Sequence, residues 1–132
     1  MDVDEHHTVE DIALALGEAV KQALGSKLGV CRYGFALPMD SCDAKVLLYL
    51  CGRPYFKWKA KFRREKLGDM ATELLQHFFQ SLSYSLSANI HIKAKGKNEH
   101  HKAEAIFKAF ARALKQAVKI EGNELPTTKG II

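Results

Sequence analysis

Two segments of this chain nearly repeat each other, and each opens a helical pattern with the sequence His-His-x-x-Glu. In a helix, residues three and four apart lie on one face, so both imidazoles can approach the carboxylate that follows them. Two nitrogen ligands and one oxygen ligand, present twice, suit a pair of transition-metal ions such as Mn, Fe, Ni or Zn. The repeat predicts a metal site with the ligands His6, His7, Glu10, His100, His101 and Glu104.

The similarity continues past these ligands. Residues 6–24 align without gaps on residues 100–118, and Lys21-Gln22-Ala23 matches Lys115-Gln116-Ala117. This predicts an internal duplication in which each copy supplies half of a composite site. The simpler alternative is a pair of exposed helix starts, where Glu is favoured by the helix dipole. That alternative is reasonable for one cluster and much weaker for two.

Length and composition predict one globular domain, since the chain has 132 residues of which 47% are apolar. No apolar run reaches the length of a membrane span, and no signal peptide is recognisable ahead of Asp2. Cys31, Cys42 and Cys51 lack C-x-x-C spacing, which favours free thiols in a reducing compartment over a zinc site. We therefore expect a cytoplasmic chain.

The net charge of +5 comes partly from residues 57–66, which include six Lys or Arg, and from Lys93, Lys95 and Lys97. Such a surface can bind nucleic acid, or it can be a solvated face, which is the simpler interpretation. A third alternative is a small anionic substrate held by a few convergent basic side chains.

Hydrophobic periodicity and turn residues predict the order helix, three strands, helix, strand, helix. The predicted helices are 5–24, 69–85 and a third that follows Asn98 and runs to about Ile120. The predicted strands are 29–37, 45–50, 55–62 and 88–95. This is an α+β fold with mainly antiparallel strands and helices on one face. The order β-β-β-α-β-α occurs once in full. We expect a single domain over 1–132, in which 1–25 is the final helix of an incomplete first repeat, 26–120 is a complete second repeat and 121–132 is a loop.

Several motifs occur in an order typical of one enzyme family. They are Asp4-Glu5-His6-His7-Thr8-Val9-Glu10-Asp11, Arg32-Tyr33-Gly34, Pro38-Met39-Asp40, Gly52-Arg53-Pro54, Asn98-Glu99-His100-His101-Lys102-Ala103-Glu104 and Pro126-Thr127-Thr128-Lys129-Gly130. Over essentially its whole length the chain resembles the imidazoleglycerol-phosphate dehydratases of histidine biosynthesis. The resemblance implies a tandem pair of ribosomal protein S5 domain 2-like repeats, two Mn ions per composite site, and large homo-oligomers with sites between subunits.

The resemblance also implies an activity: the conversion of imidazole glycerol phosphate to imidazole acetol phosphate. It adds His91 to the metal ligands and gives Glu10 and Glu104 the proton transfers, whereas we interpret His77 as structural. The groups implied for the substrate and its phosphate are Arg32, Arg53, Lys108, Thr127, Thr128 and Lys129, which makes 121–132 a substrate loop. The expected partners are a small phosphorylated imidazole and further copies of the chain, with no membrane and no nucleic acid.

The sequence departs from the family pattern in several places. An upstream region with a further His and a Glu near the substrate is absent, so we expect dehydratase activity far below that of a full family member. Ser41 replaces an acidic residue, Tyr49-Leu50-Cys51 replaces Asp-x-Ser, and Thr127 replaces Ser. Two alternatives therefore stay open: a catalytically impaired metal-binding fragment, and a basic S5-like nucleic-acid-binding module. The paired His-His clusters argue against the second.

Overall fold

The computed structural model describes residues 5–36 and 42–120, which form three helices and six strands. Their bounds are α1 Glu5–Leu24, β1 Tyr33–Ala36, β2 Asp43–Tyr49, β3 Tyr55–Ala60, β4 Lys66–Leu67, β5 Met70–Ala71, α2 Glu73–Leu86, β6 Asn89–Lys95 and α3 Glu99–Ala117. Among these described helices, none is long and apolar enough to cross a membrane. The predicted α+β class is confirmed.

Four strands form one mixed sheet in the order β1-β2-β6-β3. The β1–β2 and β2–β6 pairs are antiparallel, as the sequence predicts for most of the sheet. The β3–β6 pair is parallel, because α2 connects the two strands as a crossover. Strand β6 therefore enters between β2 and β3. The short β4 and β5 form a separate hairpin.

The core lies between the helices and one face of this sheet. Successive side chains of a strand point to opposite faces, and Val46, Leu48, Ile90 and Ile92 are buried on the same face. They belong to a core cluster that also contains Phe79 of α2 and several residues of α3. The intervening residues of β2, β3 and β6 lie on the opposite face, which no described helix covers.

Helix α1 packs mainly on α2, and a glycine permits the close approach. A Cβ atom placed on Gly17 would lie 2.9 Å from the backbone nitrogen of Leu86, closer than real Cβ atoms come. Nearby, the Ser85 hydroxyl donates a hydrogen bond to the carbonyl of Ala13 over 3.3 Å. These two contacts hold the middle of α1 close to the last turn of α2.

The element boundaries follow the sequence prediction with one correction. Helix α1 has the predicted bounds, and the order β-β-β-α-β-α is present with the β4–β5 hairpin inserted before α2. The prediction that a helix begins at Asp69 is wrong. Gly68 has φ +61° and turns the chain, so Met70 and Ala71 pair with the preceding strand and the helix begins at Glu73. The S5-like repeat and the predicted division of the domain stay predictions.

Candidate metal centre

The first turns of α1 and α2 bring His6, Glu10 and His77 together. Each offers a ligand atom, and these three atoms all lie within 4.8 Å of one another. The Nε2 atom of His77 is 3.3 Å from Oε2 of Glu10, and Nε2 of His6 is 3.6 Å from the same oxygen. The His6 and His77 rings stack with their centroids 4.0 Å apart. We call these three residues the α1–α2 triad.

The triad fits a divalent transition metal. Among the residues described, Nε2 of His77 is a buried nitrogen without a hydrogen-bond partner, although a carboxylate oxygen lies within 3.3 Å. Buried polar atoms normally have partners, and an unpartnered one requires an explanation such as an ion. Two imidazoles and one carboxylate form a donor set that Zn, Mn and Fe all accept. The triad could therefore hold one ion and leave further coordination positions open.

The geometry gives His77 a position beside two possible ligands, which the interpretation of this residue as structural did not include. His77 lies on α2 between apolar residues that face the core, with its side chain about one quarter exposed. A histidine at the rim of an apolar helix face is a weak signal alone. It becomes informative only when α1 packs there and supplies His6 and Glu10.

The structure does not place His91 with either His-His cluster, so its predicted ligand role stays a prediction. Because Ile90 and Ile92 point into the core, His91 points to the open face of the sheet. There it lines a small depression with several lysines, and its ring is 5.6 Å from that of Tyr55. Burial, and then the charge of Lys57, lower the pKa of His91.

The second cluster, at the start of α3, is more open than the first. His100 is 74% exposed, and its Nε2 atom lies 3.9 Å from Oε2 of Glu104. The backbone N–H of His101 donates to the side chain of Asn98, which caps the helix. Among the described residues, this cluster is not part of any group of three ligand atoms within metal-binding distance.

The carboxylate of Glu104 is engaged by a lysine one turn further along. Nζ of Lys108 lies 2.6 Å from Oε1 of Glu104, and this hydrogen bond lowers the pKa of Glu104. The side chain is therefore ionised at neutral pH. Lys108, which is predicted to bind the phosphate of the substrate, thus lies beside the second cluster. His7 is exposed on α1, with its ring edge-on to His6 at 5.8 Å.

Two residues predicted to bind phosphate, Arg32 and Arg53, lie near one end of the sheet. Arg32 is buried, donates to the hydroxyl of Tyr49 over 3.0 Å, and has its guanidinium 5.0 Å above that ring. Its φ of 74° is rare for a residue other than glycine. The pKa of Tyr49 is lowered first by a hydrogen bond from Tyr33, and then by the charges of Arg32 and Arg53. Thr127, Thr128 and Lys129 lie outside the described residues.

Comparisons with known proteins agree on one family. The model of the imidazoleglycerol-phosphate dehydratase family matches residues 1–114. A histidine biosynthesis bifunctional protein HisB of Actinobacillus pleuropneumoniae is 61% identical over 98% of this chain. The HisB of Campylobacter jejuni is 57% identical over the whole chain. The chain spans only 36% and 38% of the lengths of these two relatives.

Solved structures show the same likeness. An imidazoleglycerol-phosphate dehydratase of Staphylococcus aureus superposes with a TM-score of 0.84 and 37% identity, over 91% of this chain and 72% of that one. The crystal structure of IGPD from Pyrococcus furiosus, in complex with (S)-C348, has a TM-score of 0.82 and 33% identity. That match covers 98% of this chain and 73% of the Pyrococcus chain. The described fold is therefore close to the fold of these enzymes.

Proposed function

The chain belongs to the imidazoleglycerol-phosphate dehydratase family, and we propose that it takes part in the dehydration of imidazole glycerol phosphate to imidazole acetol phosphate in a metal-dependent reaction. The observation that carries this proposal is the α1–α2 triad, with the unpartnered nitrogen of His77 directed at Glu10. The chain spans less than two fifths of its curated relatives, so turnover by these 132 residues alone belongs to the proposal as well.

The reaction removes one molecule of water from a phosphorylated imidazole diol. The hydroxyl leaves the carbon attached to the ring, a proton leaves the next carbon, and the resulting enol becomes a ketone. That C–H bond is barely acidic while the hydroxyl is in place. A ring that has given up its N–H proton can donate electrons to the attached carbon and expel the hydroxide, which leaves with that proton as water. The neighbouring carbon then loses its proton, and the ring nitrogen is reprotonated. A divalent ion such as Mn²⁺, two per composite site in this proposal, would act as a Lewis acid that stabilises the deprotonated ring.

The residues of the chain divide this work between the two clusters. His6, Glu10 and His77 would hold one ion, since their ligand atoms already converge. His7, His100 and His101 are the remaining imidazoles at the two helix starts and would complete the second set. Glu104 is ionised and half exposed, so it can accept the substrate proton, whereas Glu10 lies between two imidazoles and is better suited as a ligand.

The cation set suits the phosphate of such a substrate. Arg32 is held by Tyr49 near Arg53, and a guanidinium can bind a phosphate through two parallel hydrogen bonds. The proposed phosphate-binding set also includes Lys108, Thr127, Thr128 and Lys129. Because Lys108 is ion-paired with Glu104, binding of the phosphate and the basicity of that carboxylate would be coupled.

Self-association is part of the proposal, because the two clusters do not form one ligand group within the described chain. Two half-sites on one chain can still meet when the second half comes from another copy. The three cysteines are free thiols, which agrees with a reducing compartment such as the cytoplasm. The alternative of a catalytically impaired metal-binding fragment uses the same triad.

The decisive experiment separates metal binding from turnover. The chain is stripped of metal, titrated with Mn²⁺ by calorimetry, and then assayed for conversion of imidazole glycerol phosphate. Saturable binding with turnover supports the enzyme. Saturable binding without turnover, even at high substrate concentration, would identify the impaired fragment. No Mn²⁺ binding in the wild type would reject the metal centre and the proposed mechanism with it.

The matched variants for this experiment are His77→Ala and His91→Ala, which remove one imidazole each from α2 and β6. Under the proposal, only the first weakens Mn²⁺ binding and lowers turnover. Size measurement by light scattering, with and without Mn²⁺, tests self-association at the same time. A monomer at all Mn²⁺ concentrations that nevertheless turns over substrate would exclude a site shared between copies.

A further inference from the structure

The open face of the sheet carries three lysines at one level. Lys45 on β2 lies opposite Lys93 on β6, and Lys93 lies opposite Lys59 on β3. Neighbouring strands are about 4.8 Å apart, so the three lysine side chains leave the sheet side by side. Like charges directly opposite each other destabilise a sheet. The row faces away from the core, so core packing does not explain why lysines occupy these positions despite their mutual repulsion.

A fourth lysine lies on the next level of the same face. Lys57 is in register with His91, two residues along the strands from the row and therefore about 7 Å from it. Together these side chains surround a depression of about 180 Å³, whose lining residues are Lys45, Leu47, Lys57, Lys59, His91, Ile92 and Lys93. We call it the lysine pocket. None of the residues that line it carries a carboxylate.

The neighbouring level of the sheet is different, because its charges are balanced. There Asp43 on β2 lies opposite Lys95 on β6. In the described part of the chain, no carboxylate forms a salt bridge with Lys45, Lys57, Lys59 or Lys93. Among the described residues, the four lysines of the lysine pocket therefore have no carboxylate in a salt bridge and none opposite them in the sheet, while the next lysine along β6 has Asp43 opposite it.

Protection of a sheet edge does not explain this arrangement. Lysines on an edge strand discourage strands of other molecules from pairing there, which is a sufficient reason for Lys57 and Lys59 on β3. Lys45 and Lys93, however, lie on β2 and β6, which are paired on both sides. Those two interior lysines have no edge to protect, so the row requires another explanation.

The lysine pocket also opens towards a larger cationic cavity of about 1130 Å³, which shares Lys59 and Lys93 with it. Arg63, Arg64 and Lys97 are among the further residues that line this cavity. The one carboxylate of that lining belongs to Glu99, and it is ion-paired with Lys102 over 3.3 Å. Positive charge therefore continues beyond the pocket, with room for a larger group.

We propose that the lysine pocket binds a compact polyphosphate, either inorganic tripolyphosphate or the triphosphate of a nucleotide. Lysine ammonium groups bind phosphates as point charges. One phosphoryl group carries a charge of about −2 at neutral pH, so at least two are needed to balance four ammonium groups. A bound polyphosphate would remove the like-charge repulsion within the row. The site is separate from Arg32, Arg53 and Lys108, which belong to the proposed substrate.

The test titrates the full chain with tripolyphosphate, ATP and orthophosphate by calorimetry, without divalent metal. The variant Lys45→Gln/Lys93→Gln removes two charges from the interior strands. Its matched control, Lys115→Gln/Lys119→Gln, removes two exposed charges near the end of α3. We expect saturable binding of tripolyphosphate that is at least tenfold stronger than that of orthophosphate. We expect the pocket variant to lose at least tenfold in affinity and the control less than twofold.

The ligand arms distinguish the source of the polyphosphate. Similar affinities for tripolyphosphate and ATP support recognition of the polyphosphate alone, and tighter binding of ATP supports an added nucleoside contact in the larger cavity. Equal losses in both double variants, or no saturable binding, would overturn the proposal. Single-stranded RNA that displaces tripolyphosphate at equal charge concentration would overturn it in favour of a nucleic-acid surface.

Two further measurements locate the site without relying on affinity. The ring signals of His91 in NMR spectra should shift on addition of tripolyphosphate, and unchanged signals at saturation would contradict the location. In the absence of ligand, Lys93→Gln should raise the thermal midpoint, since it interrupts the row of like charges. A lower midpoint would show that Lys93 serves the fold, and would remove the electrostatic argument for the site.

Discussion

The two His-His-x-x-Glu segments begin α1 and α3, yet their surroundings differ. At the start of α1, Glu10 lies within 3.6 Å of two imidazole nitrogens, one of which belongs to α2. At the start of α3, His100 is largely exposed, and Glu104 is within 2.6 Å of a lysine. The same local sequence thus forms a three-ligand group in one place and an open pair in the other.

This difference shows what a helical spacing can and cannot determine. The spacing places an imidazole and a carboxylate on one helix face in both segments. The third ligand comes from packing, and among the described residues only the start of α1 has a histidine of another helix within ligand distance of its carboxylate. That packing depends on a glycine far from the ligands. Four changes test this difference: removal of the third ligand His77, disruption of the α1–α2 contact at Gly17, removal of Lys108 beside Glu104, and replacement of His91 on the open face of the sheet.

The largest effect is expected from removal of the third ligand. His77→Ala should weaken Mn²⁺ binding at the α1–α2 triad by about 100-fold or more, because loss of even an outer partner of a metal site costs 10- to 100-fold. Calorimetry on the metal-free chain measures this, with His91→Ala as the control that should change affinity by less than about threefold. Equal losses in both variants would support His91 as a ligand and remove the contrast between the two helix starts.

The helix contact should produce the next largest effect. In Gly17→Ala the new methyl group meets the backbone of Leu86, so α1 must move away from α2. Overpacking of this kind costs about 1–3 kcal/mol of folding free energy. We expect a lower thermal midpoint together with weaker Mn²⁺ binding, while the exposed control Glu18→Ala changes neither. A destabilised variant with unchanged metal affinity would show that the triad does not depend on this contact.

A smaller effect is expected at the second cluster. Removing the lysine in Lys108→Ala deletes the hydrogen bond that lowers the pKa of Glu104, so this pKa should rise towards its ordinary value. Carboxyl ¹³C shifts followed over an acid titration measure the change. Lys115→Ala, further along α3, is the control and should leave the titration of Glu104 as it was. An unmoved Glu104 in Lys108→Ala would mean that the ion pair is not formed in solution.

The smallest effect concerns acid stability and the other face of the sheet. Because the pKa of His91 is lowered in the folded chain, the unfolded chain binds this proton more readily. Well above the ordinary histidine pKa of about 6.5, His91 is neutral in both states and does not affect the free energy of unfolding. As the pH falls below that value, protonation of His91 in the unfolded chain favours unfolding. His91→Gln should therefore reduce the drop in thermal midpoint between about pH 7.5 and about pH 5. An undiminished drop would assign the acid sensitivity to other groups.

Most of the fold follows from local sequence patterns. The period of apolar residues in α1, ended by Gly25, predicts the observed bounds, and the alternation in β6 predicts that strand. The start of α2 does not follow, because Met70 fits a helical period as well as it fits a strand. The parallel pairing of β3 with β6 is a property of the whole sheet, which residues of one strand do not encode.

The candidate site could be predicted only in part. His6 and Glu10 follow from their spacing, whereas His77 requires the packing of two helices that are distant in sequence. The direction of the His91 side chain also follows from the sequence. Ile90 and Ile92 are the apolar partners of the core, so the side chain between them must point to the other face. The ligand role that the resemblance implies for His91 stays a prediction.

The interior position of β6 has a consequence for how the chain folds. Both strands that flank it, β2 and β3, precede it in the sequence, and α2 lies between β3 and β6. A nascent chain therefore exposes two unpaired strand edges until residues 89–95 have emerged. Contacts between strands so distant in sequence form slowly, and exposed edges allow association between incomplete chains. The rate at which β6 inserts should thus set the yield of folded protein during synthesis.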